Sequence, residues 1–111
     1  MQKPLFPDVL SDGQVAAEVR SLVAKGKVRW TDHAEEMLEE RRYSKDEAKE
    51  CLRKGQFVEA PHVPNRPGKI QYAFAMASNV DGRSIKVVAA LVPSERVVVI
   101  SVIDPRHRGS K

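Results

Sequence analysis

The chain has 111 residues, of which 41% are hydrophobic and 31% are charged, and its formal net charge is +4. This length predicts one domain with its own core, and the composition excludes a disordered chain. No apolar run is long enough for a transmembrane helix, and residues 1–7 lack the apolar centre of a signal peptide, so we expect a cytoplasmic protein. The single cysteine, Cys51, excludes an internal disulfide and is predicted to be a buried apolar residue.

The charges are unevenly distributed along the chain. Acidic residues concentrate between Asp32 and Glu50, whereas the second half is basic. The basic residues there are Arg66, Lys69, Arg83, Lys86, Arg96, Arg106, Arg108 and Lys111. This pattern is compatible with a basic face for a polyanion or an acidic partner, and equally with ordinary solvated surface charge.

The first half of the chain is predicted to be mainly helical. Residues 1–10 contain two prolines and no periodicity, which indicates an extended arm. Ser11 and Gln14 form a capping box that opens a first helix, ended by Gly26, and the alternating residues 27–31 predict an edge strand or an extended link. The apolar face of this helix consists of Val15, Val19, Leu22 and Val23.

Two further short helices follow. Thr31 or Asp32 supplies an N-cap, so a second helix begins at about Asp32, and His33 and Arg41 lie two turns apart along one edge of its apolar stripe. Ser44 begins a third helix over residues 45–54, for which Gly55 is predicted to supply a left-handed cap. The predicted buried positions are Ala34, Met37 and Leu38 in the second helix, and Ala48, Cys51 and Leu52 in the third.

The second half is predicted to form a sheet. The predicted strands are residues 56–60, a segment from Lys69, residues 84–92 and residues 96–103, with a hairpin turn at residues 79–82. In the segment from Lys69, large side chains alternate with alanines, so one face is bulky and the other shallow. Lys86 interrupts an otherwise apolar strand. Residues 61–68 are predicted to be a loop whose His62 and Arg66 contact a ligand or belong to a plain connector.

Together these elements predict an α+β fold in which three N-terminal helices pack on a curved antiparallel sheet of four or five strands. We interpret residues 1–111 as a single domain. Its parts are the arm (1–10), a helical part (11–55), the sheet (56–104) and a basic tail (105–111).

Several of these residues also form a recognisable pattern. They are His33-Ala34, Glu40-Arg41, Ser44, Gly55, Glu59, Asp81-Gly82-Arg83 and the strand Val99 to Ile103. The pattern resembles that of a small bacterial family catalogued as domain of unknown function 4258, over roughly residues 28–103. Met37 stands where that family often has Arg, and Tyr43 where Ile is usual. The resemblance implies kinship in fold to RelE-like and MqsR-like toxins, which are small basic ribonucleases of toxin–antitoxin systems.

This kinship directs attention to RNA chemistry. Metal-independent RNA cleavage needs a base, an acid and cations that stabilise negative charge on the phosphorus. The candidate catalytic residues are His33, Arg41, Tyr72 and Lys86, and the candidate RNA phosphate ligands are Arg83, Arg106, His107 and Arg108. A structural alternative stays open for each residue: a backbone hydrogen bond for His33, ion pairing for Arg41, the core for Tyr72, a solvated rim for Lys86 and a mobile end for the tail.

We therefore predict a toxin-like protein that binds RNA or cleaves it as a metal-independent endoribonuclease, with an acidic antitoxin as a second partner. The alternative is a non-catalytic module that binds protein or nucleic acid through a sheet edge or the alanine-lined face. We expect no cofactor and no metal, because His33, His62 and His107 lack ligand spacing. The sequence does not indicate the oligomeric state.

Overall fold

The computed structural model describes residues 10–63, 71–80 and 82–105. These residues form an α+β fold of three helices and five strands, which confirms the predicted class. The elements are α1 (Asp12–Ala24), β1 (Val28–Trp30), α2 (Asp32–Arg41), α3 (Lys45–Lys54), β2 (Gln56–His62), β3 (Tyr72–Val80), β4 (Arg83–Val92) and β5 (Arg96–Ile103). No helix in this described part is long and apolar enough to cross a membrane.

All three helices begin at the caps that the sequence predicts. The side chains of Ser11 and Ser44 each accept a hydrogen bond in a complete capping box, and the Thr31 hydroxyl accepts one from the N–H of Ala34. A side-chain oxygen at this position satisfies a backbone N–H that has no partner within the helix, and each such cap stabilises by about 1 kcal/mol.

The sheet is mixed, which corrects the prediction of an antiparallel one. Its strand order is β1-β5-β4-β3-β2. The pairs β2–β3, β3–β4 and β4–β5 are antiparallel, but β1 pairs in parallel with β5, Trp30 lying opposite Val99. The chain enters β1 from α1 and leaves it directly into α2. The three helices therefore do not form one uninterrupted N-terminal block.

Gly55 is not a left-handed cap, contrary to the prediction. Its backbone is extended, with φ −78° and ψ −180°, and the left-handed residue is Arg42 at φ 62°. Glycine is needed at position 55 because a Cβ there would lie 2.5 Å from the carbonyl oxygen of Cys51 and 2.7 Å from that of Ala77. The third helix therefore ends against β3 with no room for a side chain.

Strand β2 extends beyond its predicted end. It includes Pro61 and His62, so the predicted loop begins later, and its pairing with β3 shifts register twice. A proline is tolerated here because β2 is an edge strand whose outer side needs no ladder hydrogen bond. At the other hairpin, Val80 lies opposite Arg83 and Gly82 has φ +80°. Residues 64–70 lie outside the described range, and they include the rest of the predicted loop and the start of the strand predicted from Lys69.

The two faces of the sheet differ in what covers them. On one face, here called the helix side, alternate strand residues such as Phe74, Val87 and Val99 join the buried faces of the helices in one core. The opposite residues form what we call the open face, because the core cluster contains none of them. The open face includes Arg29, Gln56, Glu59, His62, Ala73, Ala75, Ala77, Lys86, Val88, Ala90, Val92, Arg96, Val98, Ser101 and Ile103. Of these, Ala75, Ala90 and Val92 are buried.

Candidate nucleic-acid interface

Helix α2 and the open face carry charges of opposite sign. Within the described strands, the open face carries the cations Arg29, Lys86 and Arg96 and one carboxylate, Glu59. On the opposite side, helix α2 exposes a row of carboxylates, namely Asp32, Glu35, Glu36, Glu39 and Glu40. The first-turn acids suit the positive end of the α2 dipole, so the helix tolerates them. A polyanion is thus repelled by α2 and attracted to the open face.

Lys86 reaches across a neighbouring strand on the open face. It lies on β4 opposite Ala77 of β3, and its Nζ lies 3.5 Å from a carboxylate oxygen of Glu59 on β2. Glu59 is paired in turn with Ala75, so the two charged side chains meet above the alanines of β3. A large side chain at position 75 or 77 would stand between them. The alternation of large side chains with alanines in β3 therefore leaves space for the contact between Lys86 and Glu59.

His33 lies at the other border of the open face. Its Nε2 is 3.3 Å from the hydroxyl of Ser101 on β5, and the imidazole is exposed. Ile100 is an extra residue in β5, where the pairing with β4 shifts register, and the Thr31 hydroxyl donates a hydrogen bond to its carbonyl. Since Thr31 also caps α2, the cap and the bulge together bring His33 next to Ser101. Ser101 lies opposite Val88, two residues from Lys86 along β4.

Arg41 lies along the same edge of α2 as His33 but about 12 Å farther along the helix, given a rise of about 1.5 Å per residue. Its Nε is buried and has no hydrogen-bond partner in the described part of the chain. Its carbonyl accepts a hydrogen bond from Arg83. Arg41 and His33 are thus two separate points along α2, and only His33 contacts an open-face residue in the described part of the chain.

Tyr72 and Lys86, both predicted to be catalytic, lie on opposite faces of the sheet. Tyr72 is paired with Leu91 on the helix side, its side chain is 2% exposed, and its hydroxyl accepts a hydrogen bond from the N–H of Leu10 at 2.8 Å. Tyr72 is therefore a core residue in this fold, and the structure does not bring it together with Lys86.

Arg83 also faces the helix side, and it joins the helices to the β3–β4 hairpin. Its guanidinium donates hydrogen bonds to the carbonyls of Arg41 and Arg42 and lies 4.2 Å from the ring centre of Tyr43. These carbonyls are at the C-terminus of α2, where a cation is favourable. Arg83 therefore links the turn between α2 and α3 to strand β4. The remaining predicted phosphate ligands, Arg106, His107 and Arg108, lie outside the described residues.

A groove of about 930 Å³ runs between α3 and the β3–β4 hairpin. Several of its charged groups contact one another. Glu50 forms an ion pair with Lys54, which lowers the pKa of Glu50 mainly through their hydrogen bond, and Glu47 lies 3.7 Å from Arg83. Because these charges are mutually compensated, the groove attracts an anion less than the open face does.

Cys51 is not available as a nucleophile. It is fully buried, and its thiol contacts the carbonyl oxygens of Met76 and Ile85 at 3.4 and 3.8 Å. Burial raises the pKa of the thiol from its ordinary value of 9.0 to about 12. A neutral, buried thiol is unreactive. In residues 10–63, 71–80 and 82–105, no three His, Cys, Asp or Glu side chains converge as metal ligands do.

The fold and this site define a small α+β protein with a row of carboxylates on α2 and a basic open sheet face. The chain belongs to the family described as Domain of unknown function (DUF4258), whose model matches residues 30–104. A search of curated proteins and a search of solved structures found no match. The family match covers α2, α3 and strands β2 to β5, and so includes His33, Glu59, Lys86 and Ser101.

Sequence reasoning did not single out Glu59, Ser101, Arg29 or Arg96 as site residues. Glu59 had a place in the family pattern, but its contact with Lys86 spans three strands and depends on the register of β2. Ser101 depends on the bulge at Ile100. The alternation of β5 alone would place Arg96 on the face opposite to Ser101, and the bulge at Ile100 is what puts both residues on the open face.

Proposed function

We propose that this protein binds RNA through the open face. The observation that supports it best is the charge separation: three cations and one carboxylate on the open-face strands, against five exposed carboxylates on α2. Lysine and arginine that neutralise phosphates supply most of the sequence-independent affinity for nucleic acid. Arg29 and Arg96 are both exposed, and Arg96 lies 3.7 Å from the carboxylate of Glu95.

We propose further that His33 makes the site a metal-independent endoribonuclease. Neutral His33 removes the proton of a ribose 2′-hydroxyl, and the resulting oxygen attacks the adjacent phosphorus. The bond from phosphorus to the 5′ oxygen breaks, and protonated His33 returns the proton to that leaving oxygen, which yields a 2′,3′-cyclic phosphate. Ser101 orients the imidazole. Lys86, whose ammonium extends across β3 towards β2 and away from His33, binds a neighbouring phosphate of the same RNA.

The test is incubation of the purified chain with a labelled RNA in the presence of EDTA. Wild type is expected to bind and to release fragments with 2′,3′-cyclic phosphate ends. His33→Ala is expected to bind but not cleave, and Lys86→Ala to bind more weakly. Arg41→Ala tests the other predicted catalytic residue of α2. Lys54→Ala, on the helix side, is the matched control. Absence of RNA binding by wild type at low salt would refute the proposal.

The kinship with RelE-like and MqsR-like toxins belongs to the same proposal. It is supported by the small size, the basic charge and the antiparallel run β2 to β5, one face of which contributes no residue to the core cluster shared with the helices. Expression of the chain alone in a bacterial host is expected to slow growth, and co-expression of a short acidic protein from the adjoining reading frame is expected to restore it. Growth unaffected by wild type and by His33→Ala alike would argue against a toxin.

A second candidate is a module that binds nucleic acid or protein without cleaving RNA. One observation favours it: the two predicted cationic ligands inside the fold are already occupied, Lys86 by Glu59 and Arg83 by two carbonyls. RNA binding that persists in His33→Ala, together with no fragments from wild type, would select this candidate. Capture of a protein partner with no affinity for RNA would select its protein-binding form.

A further inference from the structure

The aromatic side chains lie away from the open face. Trp30, Tyr43, Phe57, Tyr72 and Phe74, five of the six aromatic residues in the chain, pack with the core on the helix side. Phe57 and Phe74 form an edge-to-face pair there, with ring centres 5.6 Å apart. The sixth, Phe6, lies outside the described residues. The described part of the open face thus offers cations, short side chains and the imidazole of His62, and no Phe, Tyr or Trp ring on which a base could stack.

This composition matters because proteins hold single-stranded nucleic acid largely by stacking. Each base stacked on an aromatic ring contributes about 1–3 kcal/mol, and a strand whose bases find no ring loses this term. A double helix has no such need, since its bases already stack on one another and it presents phosphates and 2′-hydroxyls outward.

The arrangement of the cations favours the same ligand. Arg29 on β1 and Lys86 on β4 are separated by β5, and Lys86 lies four residues along β4 from Ala90, the residue in the same row as Arg29, which places the two about 16 Å apart at about 4.8 Å per strand and about 3.3 Å per residue. Between them lie short or apolar side chains such as Ser101 and Val98. Counterion release per phosphate contact is also larger for a duplex than for a single strand.

We infer that the open face binds the phosphate backbone of double-helical RNA in preference to unpaired strands. This inference rests on the RNA binding proposed above and narrows it to a substrate class. Cleavage then falls on a strand at the border of a helical segment, where His33 reaches the ribose.

The test compares three probes by fluorescence anisotropy at low salt: a 20-base-pair RNA duplex, each of its strands alone with sequences that do not fold, and the DNA duplex of the same sequence. His33→Ala protein keeps the RNA intact. We expect the RNA duplex to bind about tenfold more tightly than either strand and at least as tightly as the DNA duplex. Lys86→Gln and Arg29→Gln are expected to weaken duplex binding severalfold, and Lys54→Gln, on α3, to leave it unchanged.

The possible results distinguish a failure of the duplex preference from a failure of the proposed RNA binding. Equal or tighter binding of single strands, or tighter binding of the DNA duplex, would overturn this inference and leave RNA binding intact. Failure of every RNA probe to bind would remove the proposed function itself. Unchanged affinity in Lys86→Gln and Arg29→Gln, with both variants melting as wild type does, would remove the open face as the site.

Discussion

Glu59 and Lys86 meet 3.5 Å apart across strand β3, although neither belongs to it. The contact is possible because β3 presents alanines on this face, and it places one carboxylate beside the cation that is central to the proposed interface. Both side chains keep solvent contact, at 58% and 27% exposure, so the pair contributes little to stability. Its main effect is that the carboxylate makes the electrostatic potential of the open face less positive.

The first prediction concerns this pair. Glu59→Gln removes the carboxylate beside Lys86 and is expected to strengthen RNA binding about two- to fivefold, whereas Lys86→Gln is expected to weaken it by a similar factor. Anisotropy titrations measure both. The free energy of unfolding should change by less than about 1 kcal/mol in each variant, because the pair is exposed. Weaker binding in Glu59→Gln would mean that the carboxylate itself contacts the ligand.

Arg83 is predicted to act in folding and not in binding. Arg83→Gln removes the hydrogen bonds to the carbonyls of Arg41 and Arg42 and the contact with Tyr43, and is expected to lower the free energy of unfolding by about 1–3 kcal/mol. Arg83→Lys should rescue little, because lysine lacks the guanidinium fork. Urea unfolding measures the loss. Wild-type stability combined with lost RNA affinity would place Arg83 in the interface instead.

Gly55 is predicted to be required for packing. Gly55→Ala places a methyl group against the carbonyl oxygens of Cys51 and Ala77 and is expected to destabilise by about 1–3 kcal/mol. Gly13→Ala is the matched control, because a Cβ there meets nothing within 4 Å and alanine favours the helix by up to about 1 kcal/mol. Thermal unfolding should therefore separate the two variants in opposite directions. Equal melting temperatures would contradict the close approach.

Cys51 is predicted to make stability depend on alkaline pH. Its pKa is raised to about 12 in the folded protein, so above pH 9 the unfolded chain loses the thiol proton and the folded one keeps it. The stabilisation is complete below pH 9 and is lost as pH rises towards 12, by about 1.4 kcal/mol per pH unit. Cys51→Ala removes this contribution. The difference in unfolding free energy between wild type and Cys51→Ala should therefore shrink as the pH rises from 9 towards 12. Unfolding free energies of the two proteins that change in parallel with pH would refute this role of Cys51.

The helices were predictable from local signals. Ser11, Thr31 and Ser44 act within one turn of chain, and the apolar spacing that predicted burial of Val15, Val19 and their neighbours follows the helical repeat. The one local error, at Gly55, arose because glycine after a helix serves two purposes. A left-handed backbone and a close approach of another strand look identical in the sequence.

The sheet and the site were harder to predict because they depend on distant pairing. A three-residue strand such as β1 carries no signal for a parallel partner some seventy positions along the chain, so its pairing with β5 was not foreseen. The faces follow from register: Tyr72 and Lys86 seemed equally available in the sequence, yet alternation with the observed pairing puts them on opposite sides. The contact of His33 with Ser101 depends on a bulge that local patterns do not encode.

The central claim is that RNA binds the open face, and two triple variants of equal net charge test it most directly. One replaces Arg29, Lys86 and Arg96 with Gln on the open face, and the other replaces Lys49, Arg53 and Lys54 with Gln on α3. Affinity for an RNA duplex is measured as a function of salt. The account predicts that the open-face variant loses binding and that its salt slope falls by about three, while the α3 variant binds as wild type does. Equal losses in both variants, or a larger loss in the α3 variant, would contradict it.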